Sequence, residues 1–387
     1  MVWSNDNSKR GCSNAPLRTH ELSAAMSYEE YHIEFTPLLE VGVDLILGFP
    51  YDYMHLICIG AVKKLLGWFP SGKRKVRRRL ISVEDASKIN KKLKKINAFW
   101  PTAFNRKPGT LDFLCWWTAT QLRQFVLYLL PVVFRGSVLA PQYMELALLL
   151  HVAVTMLCRK DLVELYCGVA GDALRLFVKK SKSLLSKRFV THNIHALIHI
   201  ADDCARFGPL DNFSSFPFEH ELGVLKQSIS GKSKPLHQMV NRVNERTIAF
   251  GPVSRKNILK DGVIPKCIHD KGPRLQSSGT YYSKISWKGR IVSLRKGDNA
   301  LLLHNGSVVL AQNFFCNSEG VTFVLGKRFL EHSDLYTTPI VSSDLGIFQV
   351  SKLSERLRPY AINDVKCKVV IAPLKARGSY AMFPFHN

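Results

Sequence analysis

The sequence has few acidic residues, no paired cysteines and no long apolar run. Its 387 residues contain 30 Asp and Glu against 54 Lys and Arg, a formal net charge of +24, which favours a polyanionic partner such as nucleic acid. The nine cysteines are scattered without a C-x-x-C pair, which argues against a disulfide framework or a cysteine zinc site and indicates reduced thiols. No stretch of about 20 uninterrupted apolar residues occurs, so no membrane span is predicted. Residues 1–20 also lack the apolar segment of a secretory signal.

The chain divides into a polar start, a helical middle and a β-rich end. Residues 1–40 are polar and aperiodic and are predicted to be a disordered or remnant tail. A short apolar run at 43–47 predicts a strand, and the helical spacing of apolar residues from Tyr53 predicts a helix after a tight turn. Helical patterns continue to about residue 250. Beyond it, β-branched and aromatic runs separated by turn residues predict an all-β, barrel-like domain at 265–387, so the expected fold is α+β with several domains.

Residues 73–107 form the most basic segment, with 13 Lys and Arg but only two acids. Clustered cations of this kind are typical of a nuclear localisation signal or of an arm that contacts DNA phosphates. A solvated charged loop is the alternative interpretation. Phosphate contacts carry no base specificity, so no target sequence is implied. The predicted DNA-binding residues are Lys73, Arg74, Lys75, Arg77, Arg78, Arg79, Lys91, Lys92, Lys94 and Lys95.

Two acids stand where functional carboxylates are often found. Asp52 follows the predicted strand in a tight turn, one helical turn before His55. Glu219 opens a predicted helix in an aromatic setting at 216–220. Either acid could instead serve the helix that it starts, Asp52 as a cap and Glu219 as a first-turn acid.

Two further groups have a functional and a structural interpretation. His195 and His199 lie with His192 on one predicted helix, at the i,i+4 spacing of paired zinc ligands, although buried structural histidines are commoner. Aromatic residues of the β domain could form a binding cage or the core of a barrel. These aromatics are Tyr281, Tyr282, Trp287, Phe314 and Phe315.

Several motifs occur together in an order that is informative. A D-x-M-H motif at 52–55 is followed by an apolar, tryptophan-rich segment at 110–134 and by an F-P-F-E motif at 216–219. Over residues 36–250 the sequence resembles transposases of the CACTA (En/Spm) type and their relatives in animal genomes. The resemblance implies a ribonuclease H-like core over 41–250, interrupted by a helical insertion at about 80–215.

The resemblance also implies a site and a reaction. In such a core three acids hold two Mg²⁺ or Mn²⁺ ions, which activate a nucleophile and stabilise the leaving oxygen of a phosphodiester. By this resemblance, Asp52 is the second metal-binding acid and Glu219 is the third. His55 is then a neighbour that supports the metal ligands.

The sequence departs from the family at the first acid. That aspartate is expected on a core strand well before the D-x-M-H motif, yet only Asp6 and Asp44 precede Asp52. Gln121 also stands where an acid is expected. A two-metal site that lacks one acid loses a bridging ligand and holds both ions poorly.

The sequence therefore predicts a truncated or domesticated transposase-derived protein. We expect it to be nuclear and to associate with DNA, non-specifically or at transposon ends, without strand-transfer activity. Self-association is left open. One alternative is an active transposase or nuclease that uses Mg²⁺ or Mn²⁺ and is completed by upstream sequence. Another is a protein-interaction module that uses the β domain.

Overall fold

Helices occupy the first two thirds of the chain and strands occupy the rest. The computed structural model describes residues 17–28, 33–68, 81–136, 139–231, 233–250, 262–275 and 279–386. The prediction of an α+β fold in which a helical part precedes an all-β part is confirmed.

The helical part combines long α-helices with two π-helical segments, Met54–Val62 and Phe125–Leu129, and several 3₁₀ turns. The central helix α6 is apolar on all sides, which is typical of a helix enclosed by others, and it packs along α7. In the part of the chain that the structure describes, no helix combines the length and apolarity that crossing a bilayer takes. The α-helices are α1 (His20–Ala24), α2 (Lys63–Trp68), α3 (Val83–Ile96), α4 (Ala119–Gln124), α5 (Leu130–Val133), α6 (Pro141–Leu157), α7 (Lys160–Leu184), α8 (His192–Ala196), α9 (Ile200–Phe207), α10 (Phe216–Gln227) and α11 (Pro235–Phe250).

The strand predicted at 43–47 is wrong, because these residues form a turn. Asp44 Oδ1 accepts hydrogen bonds from Ile46 N at 2.8 Å and from Leu47 N at 2.6 Å. Such local bonds offer the backbone an alternative to sheet pairing. Among the described residues, no strand precedes Val263.

The strands of the β domain close into an antiparallel barrel. The ring runs β4, β5, β6, β7, β10, β9 and back to β4. The long strand β6 makes closure possible, because its first half pairs with β5 and β8 and its second half pairs with β7. The strands are β1 (Val263–Ile268), β2 (Thr280–Trp287), β3 (Arg290–Ser293), β4 (Ala300–Leu303), β5 (Val308–Cys316), β6 (Thr322–Asp334), β7 (Phe348–Leu353), β8 (Arg358–Ala361), β9 (Val365–Pro373) and β10 (Tyr380–Pro384).

Strands β9 and β10 pack against the helices on one face and line the barrel on the other. Val369 and Met382 belong to the cluster that fills the barrel. Their neighbours Val370 and Phe383 belong to the large core cluster of the helical part. Because successive side chains of a strand point to opposite faces, β9 and β10 serve both cores.

A buried ion pair and an aromatic side chain fix the same joint. Lys368 Nζ on β9 lies 2.6 Å from Asp298 Oδ1, and both side chains are fully buried. Thr102, from the helical part, donates to both Asp298 oxygens, from N at 3.0 Å and from Oγ1 at 2.8 Å. Phe99 enters the cluster inside the barrel. Gly297 passes so close to Phe99 O that a Cβ at this position would lie 2.3 Å from it.

We expect Asp298→Ala to lower the free energy of unfolding by about 3–5 kcal/mol, because it leaves the Lys368 ammonium buried without a counter-charge. Urea unfolding of the full chain measures the change. Glu331→Ala, which removes the acid of the exposed Glu331–Lys352 pair, is the control and should leave the unfolding midpoint nearly unchanged. Equal shifts in the two variants would contradict the structural role given to Asp298.

Candidate functional site

The fold brings Asp52, His55 and Glu219 together. Asp52 lies at the start of the π-helix Met54–Val62, and Glu219 lies in the first turn of α10. His55 Nδ1 is 2.5 Å from Asp52 Oδ2, and His55 Nε2 is 3.9 Å from Glu219 Oε1. The imidazole therefore stands between two carboxylates that are far apart in sequence.

The residues on either side of Asp52 hold it in place. Tyr51 N donates to Asp203 Oδ2 of α9 at 2.9 Å. Tyr53 is fully buried, and its ring meets that of Phe216 edge-on at 6.0 Å between centroids. At Gly60 of the π-helix, an added Cβ would lie 2.7 Å from Asn193 Nδ2 of α8, so glycine allows the two helices to approach. Neighbouring segments on both sides thus fix the direction of the Asp52 side chain.

The Asp52 carboxylate is saturated with hydrogen bonds. Its Oδ1 accepts from Ser215 N at 2.6 Å and from Met54 N at 3.3 Å. Its Oδ2 accepts from His55 N at 2.8 Å and faces His55 Nδ1. Burial alone would raise the pKa of Asp52, but the hydrogen bonds from Ser215, His55 and Met54 outweigh it, so the pKa lies below its ordinary value. These are the contacts of a helix cap, with an added link to the start of α10.

This arrangement does not fit a two-metal centre. Both oxygens of Asp52 are already engaged by donors, and the His55 ring occupies the space toward Glu219. Within the described ranges, no three or more His, Cys, Asp or Glu side chains are grouped so that they could hold a metal ion. A cation between Asp52 and Glu219 would have to displace the imidazole and take over the oxygens that bind Ser215 and His55.

Gln121 and Asp44 do not supply the missing acid. Gln121 completes a capping box at the start of α4, because Thr118 Oγ1 accepts from Gln121 N at 3.4 Å and Gln121 Oε1 accepts from Thr118 N at 3.1 Å. Glutamine meets this requirement as well as glutamate does. Asp44 binds the backbone of its own turn, and Asp6 lies outside the described residues.

The geometry of the three side chains links the π-helix to the start of α10. His55 Nδ1 lies within hydrogen-bond distance of Asp52 Oδ2, whereas His55 Nε2, at 3.9 Å, is too far from Glu219 Oε1 for a direct hydrogen bond. None of the residues that the structure describes in α10 is buried. Contacts from Ser215, Phe216 and Glu219 hold the start of α10 beside the π-helix.

Most of the predicted DNA-binding residues are either outside the described part of the chain or exposed on α3. Residues 69–80 lie outside the described part of the chain, and with them Lys73, Arg74, Lys75, Arg77, Arg78 and Arg79. On α3, Lys91, Lys94 and Lys95 are exposed.

Lys92 differs from these lysines, because it is partly buried and its ammonium group binds backbone carbonyls. Its Nζ donates to Val133 O at 3.0 Å and to Arg135 O at 2.8 Å, at the end of α5. Burial lowers the pKa of Lys92, and Arg135 and Lys375 add to the effect. The sequence could have predicted this inward position. Lys92 comes three residues after Ile89 and four before Ile96, which are buried on the apolar side of α3.

The other predicted groups are structural. The histidines do not share one helix, because α8 ends at Ala196 and α9 begins at Ile200. The His195 and His199 rings lie 5.8 Å apart, and burial lowers the pKa of both. The aromatics proposed as a cage are mostly core: Tyr281, Trp287, Phe314 and Phe315 are buried, and Tyr282 is partly buried.

Comparisons with known proteins concern the β domain. A family model described as a domain of unknown function (DUF8592) matches residues 268–385, from the end of β1 to just beyond β10. No curated protein and no solved structure matches the chain.

We expect Asp52→Ala to lower the free energy of unfolding by about 1–2 kcal/mol at neutral pH, because the cap and the link to Ser215 are lost. Since the folded-state pKa of Asp52 is depressed, its contribution is present above the ordinary value of 3.8 and is lost as the pH falls through the folded-state pKa. Urea unfolding at neutral and acidic pH tests both statements.

The control for this prediction is Asp172→Ala, which removes an exposed acid paired with Arg175 on α7. It should change stability little at either pH. A difference between wild type and Asp52→Ala that persists unchanged into strong acid would show that the carboxylate charge is not the cause.

Proposed function

We propose that the chain is a transposase-derived nuclear protein that binds DNA through the phosphate backbone and does not cut it. The observation that carries the proposal is the net charge of +24, of which residues 73–107, with 13 Lys and Arg against two acids, supply nearly half. The resemblance of residues 36–250 to CACTA-type transposases supports the proposed ancestry.

The exposed lysines of α3 support the proposed mode of binding. Lys91, Lys94 and Lys95 are directed to solvent, and Lys94 and Lys95 lie in the last turn of the helix. In the first turn, the acid Asp85 is engaged by Lys88 Nζ at 2.8 Å. Exposed cations that release counterions from DNA give affinity without sequence preference.

The absence of cleavage belongs to the same proposal. Asp52 and Glu219 would be former metal ligands of a ribonuclease H-like core, of which the helical part is the remnant of the insertion. The hydrogen bonds that saturate Asp52 and the capping role of Gln121 support this interpretation. Mg²⁺ or Mn²⁺ would be required only if the chain were active.

Binding to labelled duplex DNA across a salt series tests the first half of the proposal. We expect log K to fall linearly with log salt, with a slope of about −0.9 for each phosphate neutralised. The triple variant Lys91→Gln, Lys94→Gln, Lys95→Gln should bind more weakly and reduce the slope by about 1 per phosphate contact removed. A matched triple in exposed lysines of the β domain, Lys266→Gln, Lys271→Gln, Lys284→Gln, is the control.

Salt-independent binding, or equal loss in the two triples, would contradict phosphate binding by α3. Nicking of the same duplex in Mg²⁺ or Mn²⁺ tests the second half. We expect no nicking. Cleavage that disappears in Asp52→Asn and Glu219→Gln would instead assign an active metal-dependent enzyme.

A further inference from the structure

Two large aromatic side chains stand exposed on the 3₁₀ helix Leu111–Trp116. Leu111, Leu114 and Trp117 are buried, whereas Phe113 is 61% and Trp116 is 79% exposed. The segment consists of two short 3₁₀ turns that meet at a kink at Phe113, where φ is −104° and ψ is 21°. Burial recurs every three residues along it and leaves Phe113 and Trp116 exposed to solvent. Two large aromatic side chains exposed three residues apart are more informative about binding than an apolar side chain that is exposed alone.

The backbone that carries these aromatics is held firmly. Asn90 of α3 accepts from Leu111 N at 2.9 Å and donates to Asp112 Oδ2 at 2.8 Å. Lys63 Nζ donates to Cys115 O at 3.1 Å near the other end of the 3₁₀ helix. A ligand that stacks on Phe113 and Trp116 would therefore not have to order their backbone first.

Two lysines lie beside Phe113, three residues before Trp116. A shallow cavity of about 360 Å³ separates α3 from the 3₁₀ helix, and its walls include Lys91, Lys94 and Phe113. Asp112 also lines it, with one carboxylate oxygen engaged by Asn90. We call Lys91, Lys94, Phe113 and Trp116 the aromatic-basic face.

We propose that the aromatic-basic face binds single-stranded DNA, with unpaired bases stacked on Phe113 and Trp116 and phosphates at Lys91 and Lys94. The inference rests on the DNA binding proposed above and specifies the form of DNA. Aromatic side chains stack on any unpaired base, whereas the bases of a duplex are already stacked on each other.

The charges of the face favour this occupant over an apolar one. A purely apolar partner would cover Phe113 and Trp116 but would also desolvate the neighbouring Lys91 and Lys94 without a counter-charge, which is costly. Single-stranded DNA supplies both a flat apolar base and a phosphate within one nucleotide. The pairing of aromatic and basic residues matches that alternation.

The test compares labelled oligothymidine with a duplex of mixed sequence, using the full chain and its variants. We expect Trp116→Ala and Phe113→Ala each to weaken binding of the single strand by about ten-fold or more, because one stacked base is lost. Duplex affinity should stay within about two-fold, since phosphate contacts dominate it. Trp116→Phe should retain most of the single-strand affinity.

The matched control is Phe218→Ala, which removes a 70%-exposed aromatic from α10 and should change neither affinity. Unchanged single-strand binding in both aromatic variants would overturn this inference while leaving duplex binding intact. Equal losses for single strand and duplex would also overturn it. A wild-type chain that binds neither form would refute the proposed function, and this inference with it.

Discussion

Burial of both faces of β9 and β10 is the constraint on which the rest of the structure depends. One face of these strands lines the barrel, and the other lies against the helical core. Phe99 enters the barrel cluster from the helical side, and Asp298 binds Thr102 and Lys368 at the same joint. A helical part and a barrel that share their interior cannot rearrange independently, because interior packing tolerates small shifts poorly.

The candidate site shows how hydrogen bonding limits chemistry. A carboxylate has about four acceptor positions. At Asp52 these are taken by the backbone of the π-helix, by Ser215 and by His55. The side chain to which the transposase resemblance assigns a metal therefore makes the contacts of a helix cap and links the π-helix to the start of α10. Whether such a residue binds a cation depends on how many of its oxygens the fold leaves free.

Neighbouring lysines on one turn of α3 have different environments. Lys92 closes the end of α5 with two hydrogen bonds, while Lys91 and Lys94 on either side of it line an open groove. The same cavity is bordered by Phe113, which lies on a 3₁₀ segment whose buried residues pack into the core. Charged and aromatic side chains are therefore exposed close together on a segment whose backbone is held by hydrogen bonds to α3.

The sequence by itself determined the character of each half of the chain. Periodicity and turn residues marked the helices up to about residue 250 and the strands beyond it, because amphipathic patterns record the local period of the backbone. Resemblance singled out Asp52, His55 and Glu219, which the structure brings together.

Only the tertiary structure decided which contacts these residues make. The apolar run at 43–47 matched a strand, yet Asp44 closes it into a turn. Lys92 looked like its basic neighbours until α5 was placed beside it. Ser215 reaches Asp52 across more than a hundred residues, and no local pattern encodes such a bond. The hydrophobic periodicity of a helix or strand depends on neighbouring residues, so the sequence shows it. The partners of a buried polar group lie on distant segments that meet only in the folded chain.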